Sequence, residues 1–333
     1  MIITTALQTD AMQELSTFAP QHARSVANSL SSRLIRNGAI EVESRDHLRE
    51  LLTSIRSAPI GPDARRNLLL MLERLDNFGR LHIASREIKA LDDWNGLVGL
   101  VLTAHGRISS EYGTSDDPFI VARPSRMEVS SSSEFESSMA FAELRRLEEQ
   151  GNLALGSSRR DFWAEVLEPL ATLSQKIVIS DPWVFAPLQK RAGAAPGSDS
   201  WPKQALPWLL GAVDALKVGL PRSIEIYTSE KSISASDARV LSDRYLGLGS
   251  GAIGTVTVYI GSHDMVAHDR HIRFGCGSAI TLGAGLDRLD RPDIRDASGL
   301  NWAFRSGSGL NNLRDSEERV KASNRTSIVP IHP

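Results

Sequence analysis

Helical and strand-like segments alternate along the C-terminal half of this chain, and this alternation most constrains its fold. From about residue 155, the amphipathic stretches RRDFWAEVLEPLATLSQ, KQALPWLLGAVDALKVG and SASDARVLSDRYLGLG alternate with the apolar stretches KIVISDPWVF, SIEIYTSE and GTVTVYIGS. Apolar residues three or four apart predict helices, and short apolar runs between turn residues predict strands. This order, with its short connections, predicts an α/β fold with a mixed sheet flanked by helices.

The N-terminal part predicts a mostly helical α/β region. Four stretches between residues 11 and 80 have helical spacing. Ser44 is expected to cap one helix, and Gly38 and Gly79 stand where two helices should end. Nothing in the sequence assigns a role to this region, and acidic residues such as Asp10 and Glu14 are expected to be ordinary surface charges.

A serine-rich stretch, RPSRMEVSSSSEFESS, separates the two parts and predicts a linker followed by a helix. The predicted division is therefore 1–125 for the helix-rich region, 126–150 for the linker and helix, and 151–333 for the C-terminal domain.

Composition excludes several classes of protein. Lysine and arginine number 38 against 40 aspartate and glutamate, so no global positive field favours nucleic acid or an anionic membrane. The single cysteine, Cys276, excludes an intramolecular disulfide framework and a cysteine-based zinc finger, and it fits a reducing cytoplasm. We expect no signal peptide, no transmembrane helix and no cofactor.

The segment AHDRHIRF, residues 267–274, concentrates candidate chemistry. Side chains two apart on a strand share a face, so His268 and Arg270 lie on one face, with Asp269 and His271 on the other. Together with His263, these histidines do not converge simply, and we expect no metal site. A histidine can attack phosphorus or transfer a proton, and an arginine two residues along can hold the phosphate oxygens.

Three other segments have competing interpretations. Asp181 follows a strand, at the edge where α/β sheets bind ligands, although Asp-Pro is also ordinary turn chemistry. The glycine-rich GLGSGAIG precedes a strand instead of opening a helix, so it is a poor phosphate loop. In NWAFR, the aromatic ring and the cation could stack on a base, but anchoring of Trp302 to the core is the simpler interpretation.

Several of these blocks together resemble a known family. KIVISDPWVFAPLQ contains the turn Asp181-Pro182, SIEIYTSE ends in Thr228-Ser229, and the last block contains HDRHIRF and GAGLD (Gly283 to Asp287). Across roughly residues 170–295, this pattern resembles the C-terminal phospholipase-D-like domain of MIT-domain (microtubule-interacting and trafficking) proteins. The resemblance implies a phospholipase-D-like sheet flanked by helices and a homodimer that binds phospholipid surfaces.

The resemblance also implies roles for individual residues. His268 corresponds to the nucleophile or acid of the His-x-Lys motif, and Arg270 stands in the place of its lysine as a phosphate clamp. Gly275 occupies the position of the motif's aspartate, which could be replaced by Asp269, Asp287 or Asp181. The residues implied to line the phosphate site are Arg273, Asp181, Asp269, Asp287, Gly283 and Gly285.

Three hypotheses remain open from sequence. The chain could be a metal-independent phosphodiesterase or nuclease that works as a homodimer, because it contains one motif where active enzymes use two. It could instead hold a phosphate of a phospholipid headgroup or nucleic acid in a local basic cleft without cleaving it. A protein-interaction scaffold is the third possibility.

Overall fold

Two compact units divide the chain, an N-terminal unit of residues Met1–Glu149 and a C-terminal unit of residues Gln150–Pro333. Both units combine a sheet with helices, so the predicted α/β class is confirmed. The computed structural model describes residues 2–83, 99–102, 120–122, 127–193, 204–216, 221–246, 251–266 and 270–331.

A six-stranded sheet forms the middle of the N-terminal unit. Its strands are β1 (Ile3–Leu7), β2 (Gly38–Val42), β3 (Leu81–Ile83), β4 (Gly99–Leu102), β5 (Ile120–Ala122) and β6 (Met127–Ser130). Their order is β3-β2-β1-β4-β6-β5, and neighbouring strands are parallel except β5 and β6. The central strand β1 is buried along its whole length, as is typical of parallel sheets covered on both faces.

Three of the helix ends in this unit lie at signals predicted from sequence. They are α1 (Thr9–Glu14), α2 (Pro20–Asn37), α3 (Arg45–Ser57), α4 (Pro62–Asn77) and α5 (Met139–Gln150). Ser44 caps α3 by accepting a hydrogen bond from the His47 N–H at 3.0 Å, which confirms its predicted role. Gly38 ends α2, and Gly79, with φ of 63°, follows α4, so both predicted helix ends are confirmed.

The serine-rich stretch lies inside the N-terminal unit, in contrast to the predicted linker at 126–150. Its first part forms β6, which pairs with β4 and β5. The hydroxyl of Ser132 is buried and donates to the Ala11 carbonyl at 2.9 Å. A run of serines can be buried when its hydroxyls find partners of this kind, so serine content alone did not locate the boundary after Glu149.

An eight-stranded mixed sheet forms the middle of the C-terminal unit. Its strands are β7 (Asn152–Leu153), β8 (Lys176–Ser180), β9 (Arg222–Ser229), β10 (Ile253–Gly261), β11 (Arg270–Phe274), β12 (Ser278–Leu282), β13 (Leu300–Ser306) and β14 (Ser327–Ile331). Their order is β14-β10-β9-β8-β11-β12-β13-β7, with β8, β9 and β10 parallel and the other neighbours antiparallel. The antiparallel pair β11–β12 confirms the hairpin predicted around Gly275 and Gly277.

Helices flank this sheet, as the alternating pattern predicted. They are α6 (Arg159–Phe162), α7 (Glu168–Thr172), α8 (Ala186–Ala192), α9 (Ala205–Asp214), α10 (Ala235–Tyr245) and α11 (Asn311–Ala322), with a π-helical turn at Trp163–Leu167 between α6 and α7. Trp302 of β13 is buried, and its ring centroid lies 5.8 Å from that of Phe162. This packing agrees with the simpler interpretation of NWAFR as an anchor to the core.

The two faces of the C-terminal sheet carry different sets of side chains, because successive side chains along a strand point to opposite faces. One face buries aliphatic residues such as Ile179, Ile226 and Ile272. On the other face, Val178 and Tyr227 pack against Val320 of α11. Arg270 and His271 are neighbours on β11 and therefore lie on opposite faces, as predicted.

Candidate functional site

One edge of the C-terminal sheet brings together residues that are distant in sequence. Strand β11 runs antiparallel to both β8 and β12, with His271 opposite Ser180 and Arg270 opposite Leu282. The start of β11 therefore lies at the edge where β8 and β12 end. Asp181 follows β8 there, and Gly285 lies in the segment after β12.

Asp181 joins two of these segments through its carboxylate. Its Oδ1 accepts a hydrogen bond from the Trp183 N–H at 2.8 Å, and its Oδ2 accepts one from the Leu286 N–H at 3.0 Å. The first bond is an Asx-turn, the local turn chemistry expected of an Asp-Pro sequence. The second bond crosses between strands, so Asp181 has a tertiary role in addition to its turn.

Arg270 lies beside this carboxylate. Its Nε is 3.6 Å from Asp181 Oδ1, and its side chain remains 25% exposed. Among the described residues, the Arg270 guanidinium makes this ion pair and no hydrogen bond. Asp181 thus orients the cation, while the guanidinium retains N–H donors for a ligand.

The Arg270 side chain packs directly against the main chain of Gly285. The Gly285 backbone has φ of 87° and ψ of 177°, a region that is essentially restricted to glycine. A Cβ at this position would lie 2.7 Å from Arg270 Cδ and 2.9 Å from its Nε and Nη1. Glycine is therefore required both by the backbone and by the close approach of the guanidinium.

Carboxyl groups near this edge have raised pKa values. Burial raises the pKa of Asp181, which two backbone N–H groups and Arg270 partly oppose and the charge of Asp287 reinforces. Burial and the nearby charges of Asp287 and Asp181 raise the pKa of Asp290 to about 6, against the opposing hydrogen bond from the Ala205 N–H.

An aromatic pair lies beside the same carboxylate and was not among the residues predicted from sequence. Trp183 is 38% exposed although its neighbours Pro182 and Val184 are buried. Its ring centroid lies 5.3 Å from that of His263, which follows β10. A tryptophan directly after an Asp-Pro turn at a strand end was the available signal, but sequence alone does not reveal its exposure.

The other residues predicted to line the phosphate site do not all lie beside Arg270. Arg273 does not join Arg270, because it lies an odd number of residues along β11 and so projects from the opposite face. Asp287 is exposed on the 3₁₀ turn that follows Gly285, near enough to influence the pKa of Asp181. Gly283 is exposed and donates its N–H to the Asn301 carbonyl at 2.8 Å, which extends the pairing with β13. His268 and Asp269 lie outside the described residues.

Arg273 belongs instead to a buried ion-pair network under α11. Its Nε donates to Glu317 Oε1 at 2.8 Å, and His271 Nε2 lies 3.0 Å from the same oxygen. Burial alone would raise the pKa of Glu317, but the hydrogen bonds from Arg273 and His271 hold it below its usual range. These contacts attach α11 to the sheet, so the role of Arg273 here is structural.

No helix in the described part of the chain is long and apolar enough to cross a membrane. The described residues also contain no group of three or more His, Cys, Asp or Glu side chains that could hold a metal ion.

Comparisons with known proteins do not identify a family. No family model matches the chain, and no curated protein matches it. The resemblance to phospholipase-D-like domains therefore stays a prediction.

Proposed function

We propose that the C-terminal unit recognises a phosphate group, as found in a phosphodiester, through Arg270. The observation that supports this proposal most directly is the partly exposed guanidinium, held by Asp181 and resting on Gly285. A planar guanidinium offers paired donors that match phosphate oxygens. The glycine and the carboxylate fix its position before a ligand arrives, which lowers the entropic cost of binding.

Recognition is proposed ahead of hydrolysis because of the position of Gly275. In the related active motif this position is an aspartate. Glycine has no carboxylate, so this chain lacks at that position the group that would orient an active site. Hydrolysis would require His268 as nucleophile and, since one motif is present, a second histidine from another copy of the chain. A homodimer therefore belongs to the hydrolytic version of the proposal.

The proposed cellular location and the size of the ligand follow from the composition of the chain. A cytoplasmic location is proposed because a chain with a single cysteine, Cys276, forms no intramolecular disulfide. The ligand would carry its phosphate into a local cleft, because the nearly balanced charge of the whole chain does not favour a large polyanion surface.

Binding of a simple phosphodiester tests the proposal. Dimethyl phosphate would be titrated into the full chain by isothermal titration calorimetry, with an expected Kd on the order of 1 mM. Arg270→Gln should weaken binding at least tenfold. Arg305→Gln, which removes an exposed arginine on β13, should leave binding unchanged. Equal binding by wild type and Arg270→Gln would contradict the proposal.

A further inference from the structure

Trp183 is an exposed aromatic side chain beside the proposed phosphate site. Its side chain keeps 38% of its surface exposed, whereas Val184 and Phe185 after it are buried in the core. A single exposed apolar side chain is ordinary on a protein surface, so the informative feature of Trp183 is its position beside the proposed phosphate site. Tryptophan also offers the largest flat surface of any side chain for stacking.

The position of Trp183 is tied to that of Arg270 through one oxygen atom. Asp181 Oδ1 accepts the Trp183 N–H at 2.8 Å and lies 3.6 Å from Arg270 Nε. The main-chain N–H of Trp183 and the guanidinium of Arg270 are thus both placed by the same carboxylate oxygen. His263 packs against the indole ring at 5.3 Å between centroids, with an angle of 55° between the ring planes.

We infer that Trp183, supported by His263, forms a subsite for the planar base of a nucleotide whose phosphate is held by Arg270. This inference rests on the proposed function and specifies its ligand class. Bases stack on aromatic side chains regardless of sequence, and the adjacent phosphate is held by a cation in such sites. The ligand is accordingly a short nucleotide unit with one phosphate next to one base.

A phospholipid surface fits this edge less well. Anionic membranes are attracted by clusters of several lysines and arginines. Here the segments that follow β9, β10 and β12 at the same edge carry charges of both signs: the exposed carboxylates of Glu230, Asp264 and Asp287 and the exposed cations of Lys231 and Arg291. Mixed charges of this kind attract a broad anionic surface less than a cluster of cations does, whereas a compact ligand with one phosphate needs only Arg270. Common phospholipid headgroups also contain no aromatic ring that could stack on Trp183.

The inference is tested by comparing a phosphodiester that carries bases with one that carries none. The dinucleotide ApA and dimethyl phosphate would each be titrated into the full chain by calorimetry. Wild type should bind ApA about tenfold more tightly than dimethyl phosphate, since one stacked base contributes about that factor. Trp183→Ala should abolish this preference and leave the affinity for dimethyl phosphate unchanged, while Trp183→Phe should keep most of it.

A matched control is Leu155→Ala, which removes another exposed apolar side chain of the same unit and should change neither affinity. The base subsite is overturned if Trp183→Ala binds ApA as tightly as wild type does, or if wild type binds both compounds equally. Neither result contradicts the proposed phosphate site. If dimethyl phosphate and ApA both fail to bind wild type, the proposed function itself fails. Trp183-dependent binding to vesicles of phosphatidylcholine and phosphatidylserine, without ApA binding, would also overturn the inference in favour of a lipid surface.

Discussion

Replacing Gly285 with alanine should damage phosphate binding and stability for two separable reasons. The backbone at φ of 87° and ψ of 177° is essentially restricted to glycine, and a side chain there costs about 1–3 kcal/mol of unfolding free energy. The new Cβ would also lie 2.7 Å from Arg270 Cδ. Because that contact involves the flexible end of a side chain, Arg270 should move aside and lose its position against Asp181.

Two measurements separate these effects. Urea unfolding should show the loss of about 1–3 kcal/mol, and calorimetry should show at least a tenfold loss of dimethyl phosphate affinity, or about 1.4 kcal/mol. Gly251→Ala is the matched control, since Gly251 has φ of 85° and nothing within 4 Å of its Cβ position. It should lose about 1–2 kcal/mol of stability and no affinity.

The double variant Gly285→Ala/Arg270→Gln provides a further check. If the alanine acts on binding through Arg270, the double variant should bind no more weakly than Arg270→Gln alone. Wild-type affinity in Gly285→Ala, or an equal loss of affinity in Gly251→Ala, would refute the idea that Gly285 positions the guanidinium.

Three further predictions concern titrating groups and catalysis. The folded pKa of Asp290, about 6, lies above its unfolded value near 3.8, so stability from its protonated form is lost as the pH rises through 6. The unfolding free energy of Asp290→Asn relative to wild type, measured with urea, should therefore rise by about 1–2 kcal/mol from pH 4 to pH 7.5, after allowance for partial exposure. A difference that stays constant with pH would contradict this prediction. Glu317→Gln should cost about 3–5 kcal/mol at pH 7, because it breaks a buried pair with Arg273. Since the pKa of Glu317 is lowered in the folded state, this cost should shrink as the pH falls from its ordinary value of 4.5 through the lower folded pKa, and a cost independent of pH would argue against the ion pair. If the site also hydrolyses phosphodiesters, cleavage of bis(4-nitrophenyl) phosphate should survive EDTA and disappear in His268→Ala; equal rates in that variant would remove the histidine mechanism.

Local patterns predicted much of the C-terminal unit. The order of helices and strands, the β11–β12 hairpin and the separation of Arg270 from His271 all follow from spacing within a few residues. Patterns of this range work because side-chain direction in a strand and apolar spacing in a helix are local properties. The serine-rich segment was harder to interpret, because its burial in the N-terminal sheet depends on partners distant in sequence, such as Ala11.

The sequence by itself determined which side chains of AHDRHIRF share a face, since alternation along a strand needs no tertiary information. Only the tertiary structure decided that Asp181 accepts the Leu286 N–H and that Gly285 supports the guanidinium of Arg270. The first contact joins residues 105 apart in the chain, and the second joins two neighbouring segments of the sheet. Both depend on the register of β8, β11 and β12, which a single sequence does not specify. The exposure of Trp183 is likewise a property of the folded edge, because its neighbours in sequence are buried.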